Sequence, residues 1–189
     1  YLFYFFMNGP FWRKPKTVTL KDGSSVTLRP SQVGDLELAW DMFSTLSEET
    51  LEFLPIPFNK ERVEEWFKGI DYSKALPILG FVDEESEPRM VVSTTLGFNS
   101  LELYSHRAEF GITVHDDYQD RGLGTILTGY MIGIAHERGI KKLDLMVVAH
   151  NARAINVYKK LGFEVEGHFR MNHFNHILKE YCDEYKMGL

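Results

Sequence analysis

The amino-acid sequence predicts one α/β domain: a mixed, mostly antiparallel sheet with helices on both faces. Three observations predict it. Short β-rich runs alternate with amphipathic helical patterns, with no repeat, low-complexity stretch or linker to divide them. Two pairs of runs are joined by short polar turns, which suit antiparallel pairing. The 189 residues are 44% hydrophobic and 25% charged, enough apolar material for one compact core. Residues 13–189 are read as that domain and residues 1–12 as an N-terminal extension, with Met7 a candidate start.

The elements follow in order. TVTLKDGSSVTLRP forms two strands about Asp22-Gly23, a hairpin signal. Leu36, Leu38, Ala39, Met42 and Phe43 give helical spacing from about Asp35 to Thr45. Ser47-Glu48-Glu49, Pro55 and Pro57 then break the chain. Lys60 to Lys68 predicts a second helix with Val63, Trp66 and Phe67 on one face. Ile78 to Val82 and Arg89 to Phe98 are strands joined by the acidic turn DEESEP, and Arg107 to Val114 is the next strand. The stretch QDRGLGT opens a long helix that stops at Gly139, after His136 and Arg138. Gly129 and Gly133 lower its helix propensity, and close approach to the sheet is the expected reason. Lys142 to Val148 is β-rich. Asn151 caps a helix whose Ala154, Val157, Tyr158 and Leu161 share a face, and Gly162 stops it. Phe163 to Arg170 and about His176 to Met187 predict the closing strands.

Charge and cysteine count narrow the function classes. A formal charge of −6 and a pI of about 5.7 argue against nucleic acid as a partner, since backbone binding wants a basic face. A cationic substrate is easier to accommodate. The single cysteine, Cys182, excludes an intrachain disulfide and a cysteine metal cluster, and fits a reducing, cytoplasmic setting. The apolar start Tyr1 to Met7 is too short to span a bilayer and lacks the features of a signal peptide, so no membrane partner is expected.

The glycine pair in QDRGLGT sits where a strand hands over to a helix. Two phosphate motifs fail there. No lysine follows the second glycine as the P-loop requires, and Leu127 stands where a dinucleotide fingerprint needs a third glycine or alanine. The general physics remains: glycines let backbone N–H groups turn to an anion, the helix N-terminus adds partial positive charge, and Arg121 adds a full one. Alone, such a loop also reads as an ordinary tight turn.

The loop is followed by NARAINVYKKLGF, Asn151 to Phe163. Together, Gln-x-x-Gly-x-Gly and Asn-x-x-Ala-x-x-x-Tyr-x-x-x-Gly-Phe resemble the GNAT superfamily of acyl-CoA N-acyltransferases, over about Arg89 to Phe163. The resemblance implies acetyl-CoA as cosubstrate, held in a cleft between two splayed central strands, with no metal. It implies a pyrophosphate cradle of Gln119, Asp120, Arg121, Gly122, Leu123, Gly124 and Thr125. Freed backbone groups fall on Ile112 and Val114. Asn151 and Asn156 meet the pantetheine arm, Ala154 also borders the coenzyme, and Lys160 or Arg153 reaches a coenzyme phosphate.

The implied chemistry is direct attack of a primary amine on a thioester. A lysine amine titrates near 10.4, so it must shed a proton first. Glu109 is the expected base, with Glu102 or a water chain as alternatives, and Tyr158 is the expected acid. The same residues also read plainly, Glu109 as a strand carboxylate with a cationic neighbour and Tyr158 as packing on an apolar helix face. His168, His173 and His176 invite a metal reading, but a turn between the last strands is preferred. His136-Glu137 fails the zinc-protease pattern at Ile140, and Cys182 is expected to be a buried spectator. The acceptor is expected to be a protein lysine or N-terminus, with polyamines and amino acids as the alternative. A non-catalytic acyl-CoA sensor is the rival from another class. A homodimer is compatible with the reading.

Overall fold

β1 (Lys16–Thr19) and β2 (Ser25–Pro30) pair antiparallel about Asp22-Gly23, where Gly23 adopts φ +85°. The structure, a computed structural model, describes residues 10–54, 59–84 and 87–189. Helix α1 (Leu36–Ser44) follows a 3₁₀ turn over Val33–Asp35. Its entry is fixed by Asp35, which accepts two hydrogen bonds from Arg29 (2.6 and 2.7 Å) and one from the Gln32 amide (2.7 Å). A short helix α2 (Glu48–Leu51), capped by Ser47, occupies part of the expected chain break. Pro55 and Pro57 lie outside the described residues. Helix α3 (Lys60–Phe67) is capped by Asn59.

The sheet continues with β3 (Ala75–Glu84), β4 (Glu87–Phe98) and β5 (Arg107–Val114), each antiparallel to its predecessor. Of the DEESEP turn, Glu85 and Ser86 lie outside the described residues. Helix α4 (Leu123–Glu137) crosses to β6 (Lys142–Val148), and α5 (Ala152–Lys160) leads to β7 (Glu164–Asn175) and β8 (Glu180–Gly188). Among the described residues the strands form one sheet in the order β1-β2-β3-β4-β5-β6-β8-β7. Among the described residues only β5 and β6 pair in parallel.

Each face of the sheet carries its own core. Leu123, Leu127, Met131 and Ile134 recur along one side of α4 and pack with Leu96, Ala108, Phe110, Leu143, Leu145 and Met187 of the strands. Full burial of each such side chain contributes about 1.5–3 kcal/mol. On the other face Ala39, Met42 and Phe43 of α1 and Val63 and Phe67 of α3 pack on Leu79, Phe81 and Met90. Both helical layers were legible in the sequence periodicity.

Three local expectations change. Trp66 does not share the burial of Val63 and Phe67: it is 42% exposed at the layer's margin, edge-on to Phe43. Gly129 and Gly133 face outward, not toward the sheet. A Cβ at Gly129 would meet open space, and one at Gly133 would meet only Phe11. The HFRMNHFNH segment is strand rather than turn, so β7 runs five residues past the expected end. A bulge there turns on Met171 (φ +50°), whose amide donates to Asp183 Oδ1 (2.8 Å).

One glycine is required by close packing. A Cβ at Gly80, beside the β3 bulge, would stand 2.3 Å from Val92 Cγ1 and 2.9 Å from Val26 Cγ1. Gly80→Val should therefore destabilise the fold by about 1–3 kcal/mol through overpacking, read as a lower midpoint in chemical denaturation.

Candidate active site

The site begins where two strands part. β5 and β6 share only three register pairs, Arg107 with Lys142, Ala108 with Leu143 and Glu109 with Asp144. Beyond Glu109, β5 stays paired to β4 alone. The His115 amide donates to Val91 O (2.9 Å), which makes the odd-numbered residues of β5 the ones bonded to β4. By alternation the backbone groups of Ile112 and Val114 point into the gap. The Val114 carbonyl accepts from Gln119 Nε2 (3.0 Å), and Thr94 Oγ1 donates to the Gly111 carbonyl (2.9 Å). The gap opens into a cavity of about 1090 Å3.

The glycine loop forms one end of that cavity. Gly122 caps α4 with φ +89°, and Asp120 is also left-handed at φ +58°. Successive left-handed turns of this kind face backbone N–H groups into a concavity. Among the described residues no protein acceptor meets the amides of Asp120, Arg121, Gly122, Leu123, Gly124 or Thr125. The first amide to close the helix is that of Ile126, on Gly122 O (3.1 Å). A Cβ at Gly124 would enter open space inside the cavity lining. This row of orphan donors at a helix N-terminus fits a diphosphate.

Three details of the loop depart from expectation. The Gln119 amide is not available to an anion, because it donates to Asp116 O (3.2 Å) as the 3₁₀ turn Asp116–Tyr118 closes. Its side chain instead bridges Val114 O and Thr50 Oγ1 (2.8 Å), and Thr50 Oγ1 donates to Asp116 Oδ1 (2.6 Å). The Arg121 guanidinium turns outward to Asp22 Oδ2 (2.9 Å) and stacks over Tyr118. Lys21 takes the nearer place, with its side-chain carbons 3.2–3.5 Å from where a Gly122 Cβ would stand. Nothing in local sequence pattern marks Lys21, which arrives from the first hairpin.

Asn151, the cap of α5, lines the cavity together with Arg153, Ala154, Asn156, Tyr158 and Lys160 of the helix. Asn151 Oδ1 accepts from the Ala154 amide (3.0 Å), so its carbonyl end is spent on the cap while its amide end remains. Arg153 lies 3.6 Å from Asp120, at the loop end. Tyr158 is buried among Phe110 and Phe163, with ring centroids 6.1 and 5.7 Å away. Burial pushes its hydroxyl up to about 12, so it keeps its proton at neutral pH.

Glu109 lines the cavity on the face that looks toward α1 and α3, and is exposed. No described side chain forms an ion pair with it. Glu102 lies in an exposed 3₁₀ turn over Glu102–Tyr104 and is not brought to the cavity. Beside Glu109 stands Asp144, a residue sequence reasoning missed. Its signal was an acid set within the apolar run LDLMVV. Phe43, Phe53, Leu54, Trp66 and Phe67 wall the far side. His168 and His173 lie on β7, opposite Tyr185 and Cys182, and among the described residues no three metal-ligating side chains converge. Cys182 is buried, and burial pushes its thiol up.

A sheet split at its centre, with a helix N-terminus and a buried tyrosine at the split, forms a cleft that can take an extended ligand ending in a diphosphate. Residues 40–163 match the acetyltransferase (GNAT) family, and the chain belongs to that family. It is 38% identical over 85 residues to the L-amino acid N-acetyltransferase AaaT of Escherichia coli, spanning 44% of this chain and 51% of that protein. The match to the [Ribosomal protein bS18]-alanine N-acetyltransferase of Escherichia coli is 43% over 65 residues, 34% of this chain and 43% of that one. The chain thus spans about half the length of these two relatives. The spermidine N-acetyltransferase of Vibrio cholerae, solved with CoA and spermine, shares the fold with a TM-score of 0.72 at 21% identity, over 87% of this chain and 94% of the other. Among the described residues no helix is long and apolar enough to cross a membrane.

The Tyr158 environment makes a prediction about stability. Its folded pKa lies above the unfolded value near 10, so its contribution is full below pH 10 and is lost as pH rises toward 12. Tyr158→Phe should therefore resist alkaline unfolding better than the parent, the gap growing to about 2–3 kcal/mol across that window. Denaturation midpoints of both proteins between pH 8 and about 12 check it.

Proposed function

We propose that the protein transfers an acetyl group from acetyl-CoA to a primary amine by direct attack, with no covalent enzyme intermediate. One observation carries the reading: Gly122, Gly124 and Thr125, whose amides meet no protein acceptor among the described residues, line the same cavity as Glu109 and Tyr158. In this reading Asp120 to Thr125, with Lys21 beside them, hold the diphosphate. Asn151, Ala154 and Asn156 border the pantetheine arm, and Lys160 or Arg153 meets a further phosphate. Acetyl-CoA supplies the activated acyl group.

Glu109 takes the ammonium proton, directly or through water, and frees the lone pair. The Ile112 and Val114 N–H groups offer donors to the carbonyl oxygen as it gains charge. As the N–C bond forms and the C–S bond breaks, Tyr158 donates its hydroxyl hydrogen bond to the departing sulfur. With thiols titrating near 8.5 and Tyr158 near 12, that bond stabilises the thiolate without ionising the tyrosine; the nitrogen loses its second proton to water, and the released thiolate takes one up from solvent.

The acceptor proposed is a protein lysine or N-terminus, whose apolar stem suits the wall of Phe43, Phe53 and Leu54. A small-molecule amine is the second reading. It is favoured by the Asn175 Nδ2 bond to Glu52 O (2.8 Å), which draws the β7–β8 hairpin against the α2 segment. The relatives named above act, by their names, on amino acids, a ribosomal protein alanine and spermidine.

Mixing the protein with acetyl-CoA, a thiol reporter and a panel of peptides, polyamines and amino acids tests the proposal. Amine-dependent thiol release is the expected outcome. Tight acetyl-CoA binding without release for any amine would favour a non-catalytic sensor. Glu109→Gln and Tyr158→Phe should each slow turnover by about 10²-fold or less, with coenzyme affinity near that of the parent.

A further inference from the structure

Asp144 is the residue at the parting of the strands that the reading above leaves unused. Glu109 and Asp144 form the last β5–β6 pair before the gap. Paired residues of neighbouring strands share a face, about 4.8 Å apart, so both carboxylates look toward α1 and α3. Both line the cavity. The Asp144 side chain is only 6% exposed. Its Oδ2 accepts from Arg107 Nε (2.9 Å) and Nη2 (2.7 Å). Its Oδ1 is buried and receives no hydrogen bond among the described residues.

Two ammonium groups stand within ion-pair distance of Oδ1, neither in hydrogen-bonding geometry. Lys186 Nζ is 3.5 Å away and Lys142 Nζ 3.9 Å. Lys142 is engaged elsewhere, by Glu166. Lys186 has no other ion-pair partner among the described residues, lines the cavity, and is 31% exposed. Two like charges side by side are unfavourable unless a cation lies between them. Arg107 neutralises Oδ2 and Lys186 covers Oδ1, which leaves Glu109 open to the cavity.

We propose that Asp144 Oδ1 anchors the ammonium group of the acceptor amine, which docks by displacing Lys186 Nζ and so comes to rest beside Glu109. The anchor rests on the acetyltransferase reading for its purpose, but its chemistry stands alone: a primary alkylammonium ion, bound by one charge-assisted hydrogen bond. Lys186 holds the place in the free protein and swings to solvent when the amine arrives. Asp144 then selects the charged amine, and Glu109 takes its proton.

The test uses n-butylammonium as the probe and n-butanol as its neutral counterpart, titrated by NMR into the full chain with coenzyme A present. KM for amine and for acetyl-CoA are measured alongside. Asp144→Asn should weaken butylammonium binding and raise the amine KM by about tenfold, with coenzyme A affinity within about twofold and butanol binding unchanged. Lys186→Met should move the amine terms the other way, tightening them about threefold as the competing cation is removed. Amine binding left intact by Asp144→Asn in a protein that still binds coenzyme A overturns the anchor. If Asp144→Asn does not fold, Lys186→Met decides: tighter amine binding supports the anchor, and unchanged or weaker binding overturns it. Absence of turnover in the parent would sink the acetyltransferase reading alone, because the titration reads the anchor without it.

Discussion

The rest of the site depends on the failure of β5 and β6 to stay paired. Each strand is firmly held on its other side, β5 by seven register pairs to β4 and β6 by five to β8, against three between them. The split therefore falls at the weakest ladder and does not unzip the sheet. Parting leaves backbone groups unpaired, and a dry, buried orphan costs about 1–3 kcal/mol. The chain meets part of that cost itself, with Gln119 serving the Val114 carbonyl. The remaining groups open on the cavity. On the α4 face of the sheet, the Tyr158 ring packs edge-on to Phe110 and tilted against Phe163.

The gap also joins two halves of the chain chemically. Gln119, from the loop before α4, bonds Thr50 on α2, and Thr50 bonds Asp116. Asp116 also takes the Ser47 amide (2.9 Å), and His115 Nε2 lies 3.2 Å from Thr45 Oγ1. These contacts span some seventy residues of sequence and fix the α1–α2 corner to the C-terminal end of β5. The aromatic wall of the cavity is thereby held in register with the backbone groups that β5 turns into the gap. Arg89 strengthens the corner through Glu84 and Asp117, and the hydrogen bond to Asp117 is the main reason its guanidinium holds its proton more tightly than usual.

Much of this was legible in the sequence, for identifiable reasons. Apolar spacing marked α1, α3, α4 and α5 because each buries one stripe against a sheet. Asn151 and Gly122 were legible because caps and left-handed turns accept few residue types. What was not legible depends on contacts between distant segments. The turn to Asp22 that removes Arg121 from the loop, the arrival of Lys21, and the capture of the Gln119 amide are properties of packing, not of local pattern. Asp144 left a faint mark, an acid in an apolar strand. Its meaning required knowing that β6 lies beside Glu109.

The hairpin at the start of the domain is fastened to the glycine loop twice. The Lys21 amide donates to Arg121 O (3.1 Å), and Asp22 holds the Arg121 guanidinium. A loop of glycines is otherwise free to explore many shapes, and the entropy it surrenders on gripping a ligand would be charged against affinity. Clamping it from outside removes that freedom in advance. The two strands at this edge of the sheet thus act as a brace, and the shape of the loop is set partly at the rim of the molecule.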